Sequence, residues 1–291
     1  MNLARFHADP NKCVGCGRCV HVCPGGLLYL NGSKKAAIHD HTEFGWNGCW
    51  KCQHCLAVCP MGAVSVLGLH PENSIVQPKS NLVSSVFSGM VATRHSCRRY
   101  LDQDVPEETI REMLDLLACI PNGGNKQQVE FTLIDKKEQM DRFRNLAYAK
   151  MESLAKEGTY PEGFDAASYG DMKKWEETVR PDMLFCGAPH LLIPHAPLGN
   201  GTPMQDAIIA AAYFELLCAS RKLGAVILSF PLDAMKNMPE IWSMLEIPDD
   251  HYVGVVIGFG YPEIPSVRGV QKKMEESRIH RPAFRKGGGQ C

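Results

Sequence analysis

Two short runs of cysteines constrain this chain more than any other feature of its sequence. The first reads CVGCGRCVHVCP from residue 13, and the second reads CWKCQHCLAVCP from residue 49. Both follow the pattern C-x2-C-x2-C-x3-C-P without a gap. Because three thiols lie on one tight loop, each run must fold around whatever its cysteines bind.

The pattern predicts two [4Fe–4S] clusters with crossed ligation. Three thiolates of one loop reach three corners of a cube, and the fourth, carried away at the proline, reaches the other cube. The first predicted ligand set is Cys13, Cys16, Cys19 and Cys59, and the second is Cys49, Cys52, Cys55 and Cys23. Structural zinc is the alternative, although zinc usually takes two separated cysteine pairs around one ion.

The N-terminal segment, over residues 3–68, resembles the two-cluster bacterial ferredoxins. The connection between the two runs is longer than in the compact members, and we interpret His39, His41 and Trp46 as surface residues of an inserted hairpin. Clusters of this type carry single electrons and perform no bond chemistry by themselves. The rest of the chain must therefore supply or accept those electrons.

Composition argues against several other classes of protein. The chain has 291 residues and a formal net charge of -1, so no global charge favours nucleic acid or a membrane surface. The N-terminus lacks the apolar core of a signal peptide, and no apolar stretch is long enough to span a bilayer, which predicts a cytoplasmic protein. Five further cysteines are scattered, at positions 97, 119, 186, 218 and 291.

The chain divides into a predicted ferredoxin-type domain (1–68), a linker (69–80) and a larger domain (81–291). Hydrophobic periodicity in the larger domain predicts helices from Asn81, from Pro106, and over 137–156, 204–223 and 235–245. Strands are predicted from Val129 and in HLLIPHA, AVILSF and YVGVVIGFGYP. This mixture predicts an α+β fold with helices covering a sheet, and the helix over 204–223, apolar nearly all round, is expected to be deeply buried.

The larger domain contains no nucleotide-binding glycine motif, since GFG at 258–260 and NGGNK at 122–126 lack the required spacings. A phosphate ligand, if the chain binds one, must therefore be held by charged side chains. In RHSCRRY, Arg94, Ser96 and Arg98 occupy alternate positions of an extended segment and point to one side, a side that can bind a phosphate or a polar ring edge through charge-assisted hydrogen bonds. Taken alone, a basic stretch is more often a solvated face.

The order of motifs in the larger domain is similar to that of the nitroreductase family. TRHSCRRYLDQDVPEETIREMLDLLACIPNGGNKQQVEF resembles the family's opening segment, and FCGAPHLLIPHAP, LGAVILSF and VVIGFGYP follow in the family's order. The resemblance covers about residues 81–270. It implies an α/β/α sandwich with a mixed sheet, and FMN bound at the interface of an intertwined homodimer.

The resemblance also implies a set of flavin contacts. They are Arg94, Ser96, Arg98, Asn125, Gln127, Leu228, Ser229, and either Arg268 or Lys272. The first three hold the phosphate and the pyrimidine edge, the next two come from the other subunit, and the pair 228–229 approaches flavin N5 with backbone amides. The last, in the C-terminal part of the chain, is a further phosphate contact. Asn122, Gln128 and Val129 depart from the family's loop, which affects the expected substrate pocket.

Together these features predict an iron–sulfur flavoprotein oxidoreductase. Electrons pass from an external low-potential donor, a ferredoxin or NAD(P)H, through the two clusters to FMN, and then to a nitro, quinone or activated-alkene acceptor. No side-chain acid, base or nucleophile is predicted. The alternatives are an electron-carrier or redox-sensing module without turnover of its own, and a flow of electrons in the opposite direction, from NAD(P)H outward through the clusters.

Overall fold

The structure is a computed structural model that describes residues 2–45, 48–75, 82–179 and 181–282. Residues 76–80 of the predicted linker lie outside the described residues, and so do Trp46, Asn81 (the predicted start of a helix) and the terminal Cys291. Within the described ranges, no helix combines the length and the apolar character needed to cross a membrane.

The N-terminal domain is built from short elements around the two cysteine loops. In chain order they are β1 His7–Ala8, α1 Arg18–Val22, β2 Leu28–Leu30, β3 Ala36–Ile38, α2 His54–Ala57 and β4 Val64–Ser65. β1 pairs with β4 and β2 pairs with β3, both antiparallel. Each helix starts after a residue in the left-handed conformation, Gly17 (φ 71°) before α1 and Gln53 (φ 60°) before α2.

The predicted inserted hairpin is the pair β2–β3. His39 is exposed, as expected, and its ring stacks on Tyr29 with the centroids 4.3 Å apart. The interpretation of His41 as a surface residue is wrong, because its side chain is only 5% exposed. It is buried because its backbone bridges to Asn2, and its ring lies edge-on to Phe44.

The larger domain contains seven helices and five strands within the described residues. The helices are α3 Leu82–Thr93, α4 Glu107–Leu117, α5 Lys137–Lys156, α6 Ala166–Thr178, α7 Pro203–Ser220, α8 Phe230–Met235 and α9 Pro239–Trp242. The strands are β5 Glu130–Ile134, β6 His190–Pro197, β7 Gly224–Leu228, β8 His251–Val253 and β9 Val256–Gly260.

The five strands form one sheet in the order β5-β6-β9-β7, with β8 also paired to β6. These pairs are antiparallel, and a parallel bridge from Ser96 to Ala225 makes the sheet mixed. Side chains of β6 alternate between two cores: Leu192 packs with α4 and α7 on one face, and Leu191 packs with α5, α8 and α9 on the other. The predicted α/β/α sandwich is confirmed.

One helix prediction is wrong in its extent. The periodicity predicts a single helix over 235–245, whereas α8 begins at Phe230 and ends at Met235, and α9 begins at Pro239. A continuous helix is blocked there because Pro239 has no backbone N–H and its ring crowds the preceding turn. Proline suits the first turn of a new helix, where it stands in both α8 and α9.

Helix α7 is not buried all round, contrary to the prediction. Its sheet-facing side is buried and rich in small residues, including Ala207, Ala210 and Ala211, so the helix lies close to the strands. The other side exposes Met204, Ile208 and Tyr213, each more than 40% accessible. An apolar face of this kind on a single chain is typical of a surface that contacts another protein.

Candidate cofactor sites

Each of two cavities in the N-terminal domain is lined by four cysteines. The first cavity is lined by Cys13, Cys16, Cys19 and Cys59. The second is lined by Cys23, Cys49, Cys52 and Cys55. Each cavity therefore combines three thiols of one run with the last thiol of the other run. The grouping is the one that the crossed pattern predicts, and ligation of a cluster by each set remains a prediction.

The surroundings of the thiols are suited to an iron–sulfur cluster. Most of the other side chains that line the two cavities are apolar, among them Val64 in the first and Phe6 and Val66 in the second. The backbone N–H of Ala63 donates to the sulfur of Cys59 at 3.2 Å. Water exclusion and N–H donors to sulfur are the two features by which a protein stabilises such clusters and tunes their potential.

The first cysteine loop requires glycine where another chain segment approaches it. Gly15 has φ +68°, and a Cβ at this position would lie 2.3 Å from the carbonyl oxygen of Lys34. Lys35, the next residue, donates from Nζ to the carbonyl oxygen of Cys13 at 2.5 Å. The hairpin β2–β3 thus closes over the first loop, and a side chain at position 15 would force the two apart.

Burial changes the acidity of three of these thiols. Desolvation raises the pKa of Cys19 and of Cys49, and it raises the pKa of Cys55 to about 12. Without metal these thiols are protonated at neutral pH, since a thiolate in an apolar cavity has lost its hydration. Iron ligation requires the thiolate form, so cluster assembly must release these protons.

The segment predicted to bind the flavin phosphate starts beside an ion pair. Arg94 pairs with Glu215 of α7, and the two side chains are 36% and 13% exposed. Cys97 donates its N–H to the carbonyl oxygen of Ala225 at 2.9 Å, which anchors the segment to β7. The exposed Arg98 turns its guanidinium back to the carbonyl oxygen of Ser96 at 3.3 Å.

Arg94 lines a cavity of about 330 Å³ between α7, the start of β7 and the segment after β9. Lys222 contributes a second positive charge, and Glu215 is the negative charge in the lining. Ser266 lies 2.7 Å from His95, Oγ to Nδ1, at the same cavity. The surplus of cations and the nearby polar groups fit a phosphate, which is the chemistry expected of Arg94.

The loop that carries Asn125 and Gln127 is stabilised from α7. Asp206 is 2% exposed, and its Oδ1 accepts from the N–H of Gly123 at 2.9 Å. Its Oδ2 accepts from Asn200 Nδ2 at 2.8 Å and Thr202 Oγ1 at 3.1 Å. These bonds to a buried carboxylate contribute about 3 kcal/mol or more in total. Sequence reasoning missed this role of Asp206.

Two features of the same loop explain its sequence. Asn122, which replaces the family's serine, accepts the N–H of Gln127 on Oδ1 at 2.9 Å. Asn125 and Gln127 both adopt left-handed backbone conformations, with φ values of 53° and 55°. The departure at position 122 therefore serves to close the loop.

Asn125 also joins the two domains. Its Nδ2 donates to the carbonyl oxygen of Trp50 at 2.9 Å. Trp50 follows Cys49 in the chain and lines the second thiol cavity. The loop predicted to lie near the flavin ring therefore contacts the wall of a predicted cluster site. No sequence pattern indicates this contact, because it joins residues 75 positions apart.

The remaining predicted contacts are dispersed. Leu228, at the end of β7, is buried, and Ser229 is exposed just before α8. The Arg94 cavity lies at the other end of the same strand, at Gly224 and Ala225. Arg268 and Lys272 are exposed on the segment after β9. That segment returns to α3, because the N–H of Val270 donates to the carbonyl oxygen of Ala92 at 3.0 Å.

Comparisons with known proteins agree with this architecture. A protein of Methanothermobacter thermautotrophicus, named for NADH dehydrogenase/NAD(P)H nitroreductase activity, is 28% identical over 192 residues, which are 65% of this chain and 83% of that protein. A solved nitroreductase with bound FMN from Desulfitobacterium hafniense has a TM-score of 0.51 at 18% identity, over 67% of this chain and 96% of its own. A second solved nitroreductase with bound FMN, from Bacteroides fragilis, has a TM-score of 0.51 at 14% identity. The likeness covers 70% of this chain and 100% of that chain.

The two solved structures show that the fold is alike, and matches to models of protein families show which family the chain belongs to. Residues 12–63 match the 4Fe-4S dicluster domain, and residues 91–261 match the nitroreductase family. The second match covers more than half of the 291 residues. The chain therefore belongs to the nitroreductase family, with a 4Fe-4S dicluster domain preceding its nitroreductase domain.

Proposed function

We propose that this chain is a cytoplasmic iron–sulfur flavoprotein oxidoreductase that exchanges electrons between two [4Fe–4S] clusters and FMN. The observation that carries the proposal is the hydrogen bond from Asn125 to the carbonyl oxygen of Trp50, between the predicted flavin loop and the wall of the second thiol cavity. The two solved nitroreductases contain bound FMN, and the charges that line the Arg94 cavity support FMN binding by this chain. When bound, FMN links single-electron and two-electron chemistry.

The chain's own residues have distinct tasks in this proposal. Arg94, which pairs with Glu215, neutralises the phosphate. Arg98 provides positive charge near the pyrimidine edge, where it favours the anionic reduced ring. Asp206 fixes the loop that carries Asn125 and Gln127. Of the other expected contacts, Ser96 supports the phosphate, Leu228 and Ser229 offer backbone amides, and Arg268 or Lys272 adds a late contact.

The two cluster sites are not equivalent in this arrangement. The second cavity includes Trp50 and therefore contacts the nitroreductase domain through Asn125. The first cavity includes Cys16, which is exposed, and Val14, which is 64% exposed. We infer that the second site exchanges electrons with the flavin and that the first site faces the external redox partner.

The donor and the acceptor are proposed by class. A ferredoxin is the donor that suits an exposed cluster, and NAD(P)H is the donor suggested by the name of the archaeal relative. The acceptor is a nitro group, a quinone or an activated alkene, which takes two electrons. A module that only passes electrons to another protein is the second candidate, favoured by the exposed first run.

The proposal is tested by anaerobic reduction of the purified protein with reduced ferredoxin, NADH or NADPH in separate experiments. We expect about eight irons and one FMN per chain. One donor should reduce both clusters and the flavin at least as fast as the enzyme turns over. A nitroaromatic or quinone should then reoxidise the flavin in a stopped-flow experiment. Flavin that no donor reduces contradicts the proposal. Flavin that is reduced but reoxidised only by a partner protein supports the carrier instead.

A homodimer is part of the proposal, and α3 supports it. Its twelve residues include no charged side chain, although Val83, Val86, Phe87 and Val91 are each at least 47% exposed. The exposed face of α7 offers a second apolar surface. Exposed apolar surface of this extent is costly in water, and a second copy of the chain would bury it.

Phe87→Asp is expected to convert the dimer into a monomer, because the new carboxylate would be desolvated in the subunit interface. FMN content should fall with it, since the flavin site is proposed to be shared, while iron content should stay. Multi-angle light scattering and cofactor analysis measure both. Leu116→Asp is the matched control on α4, where the leucine is 37% exposed. A Phe87→Asp variant that stays dimeric would contradict this interface.

A further inference from the structure

A group of metal-ligating side chains lies at one edge of the sheet, outside the predicted cofactor contacts. Glu130 on β5, His195 on β6 and His251 on β8 each offer one ligand atom, and the three atoms lie within 4.8 Å of one another. Glu130 is the direct cross-strand partner of His195, and β8 pairs with the end of β6. Three strands of the rigid core therefore bring these residues together.

The hydrogen bonds of His195 determine which ring nitrogen is available. The Oγ1 of Thr132 lies 3.1 Å from the carbonyl oxygen of Leu245 and 3.3 Å from Nε2 of His195. A hydroxyl has one proton, and the carbonyl can only accept it, so Thr132 accepts a bond from Nε2–H of His195. The Nδ1 atom of His195 is then unprotonated and carries a lone pair.

That lone pair points at a second histidine. Nδ1 of His195 lies 2.7 Å from Nδ1 of His251, so the two nitrogens share one proton. His195 is 3% exposed and His251 is half-buried. A histidine whose far nitrogen is fixed by a hydrogen bond and whose near nitrogen faces another imidazole is oriented as metal-ligating histidines are.

We propose that Glu130, His195 and His251 form a binding site for a divalent first-row metal ion such as zinc. Two imidazoles and one carboxylate are a ligand set that zinc uses in proteins. Binding would move the proton between the two Nδ1 atoms to Nε2 of His251, so that each ring keeps one N–H, on Nε2, and presents its Nδ1 lone pair to the cation. The fourth position would open toward a groove of about 620 Å³, which Thr132, Gln139, Arg142 and Glu246 also line.

The site requires a small rearrangement to accept zinc. With Zn–N bonds of about 2.0–2.1 Å and tetrahedral angles, the two nitrogens must stand about 3.3 Å apart. His251 must therefore move away from His195 by roughly 0.6 Å, which a half-buried side chain at the start of a three-residue strand allows. His195 stays fixed by Thr132, and Glu130 is exposed and adjusts freely.

The test uses the complete protein with its clusters and FMN, freed of adventitious metal by EDTA and then dialysed against zinc sulfate under argon. We expect one additional zinc per chain by mass spectrometry. Zinc K-edge absorption should show nitrogen and oxygen neighbours at about 2.0–2.1 Å with imidazole scattering. Zinc bound by the cluster cysteines would instead show sulfur at about 2.3 Å, and that result would overturn the assignment.

Variants separate a built site from non-specific binding. His251→Ala and Glu130→Gln change an incompletely buried and an exposed side chain, so they should fold, and each should weaken zinc binding about tenfold or more. Thr132→Val should weaken it about tenfold by freeing the His195 ring. His280→Ala removes an exposed histidine elsewhere and should have no effect. The proposal is overturned if all four variants bind zinc as tightly as the unmodified protein. It is also overturned if the unmodified protein binds no additional zinc.

Discussion

Cys59→Ser is expected to damage the cluster of the first cysteine run and to leave the cluster of its own run intact. Cys59 lines the cavity of Cys13, Cys16 and Cys19, and the backbone N–H of Ala63 donates to its sulfur. A serine hydroxyl is a poor ligand for iron, so the variant should keep about four of about eight irons. Iron analysis and electron paramagnetic resonance of the reduced protein measure the loss and identify the surviving cluster.

Double variants distinguish crossed ligation from ligation within one run. Under crossed ligation, Cys16→Ser combined with Cys59→Ser affects a single cluster, so its spectrum should match that of either single variant. Cys16→Ser combined with Cys23→Ser affects both clusters and should remove nearly all iron. If each cluster were instead bound within one run, the Cys16 and Cys59 pair would affect both clusters, and the Cys16 and Cys23 pair would affect only one. Cys119→Ser changes an exposed thiol outside both runs and should leave the iron content unchanged.

Two single variants test the order of the two sites. Loss of the second cluster, through Cys52→Ser, should stop the exchange of electrons between the remaining cluster and the flavin, because that site contacts the predicted flavin loop through Trp50 and Asn125. Loss of the first cluster, through Cys16→Ser, should mainly slow reduction by the external partner. Rates that fall equally in both variants would argue against an inner and an outer site.

The sequence predicts best where a local pattern has one physical solution. The helix over 137–156 has the bounds expected from its periodicity, and the strand HLLIPHA extends by one residue, to Pro197. The apolar residues of each segment define which of its faces are buried. α6 was not predicted, although its capping box, in which Asp165 Oδ1 accepts the N–H of Ser168 at 2.8 Å, is visible in the sequence. The apolar periodicity of α6 is weak, and the cap alone gave too little signal.

The sequence predicts least well where function depends on contacts between distant segments. Glu215 as the partner of Arg94, and Trp50 as the partner of Asn125, are fixed by packing of whole elements and leave no local pattern. Periodicity also cannot distinguish a buried apolar face from an exposed one, so it predicts deep burial for α7, one side of which is exposed. The exposed apolar faces of α3 and α7 fit the proposed dimer interface, which a single chain does not contain.

Arg94→Ala is expected to weaken FMN binding about 10- to 100-fold, from the loss of charged hydrogen bonds that contribute about 1.5–3 kcal/mol. The effect should be larger than that of removing an exposed arginine or lysine. The variant also removes the ion-pair partner of Glu215, which is 13% exposed and lies close to the expected phosphate. FMN per chain, and fluorescence titration of the apoprotein with FMN, measure the loss, while iron content should not change.

Two further variants separate charge from packing at this site. Glu215→Gln removes the negative charge and keeps the side-chain volume, so it should bind FMN as tightly as the unmodified protein or more tightly. Arg99→Ala is the matched control, because Arg99 points away and donates from its guanidinium to the carbonyl oxygen of Val179 at 2.9 Å. It should retain full FMN. If Arg94→Ala retained FMN as Arg99→Ala does, the phosphate would have to bind elsewhere, and the assignment of Arg94, Ser96 and Arg98 would be wrong.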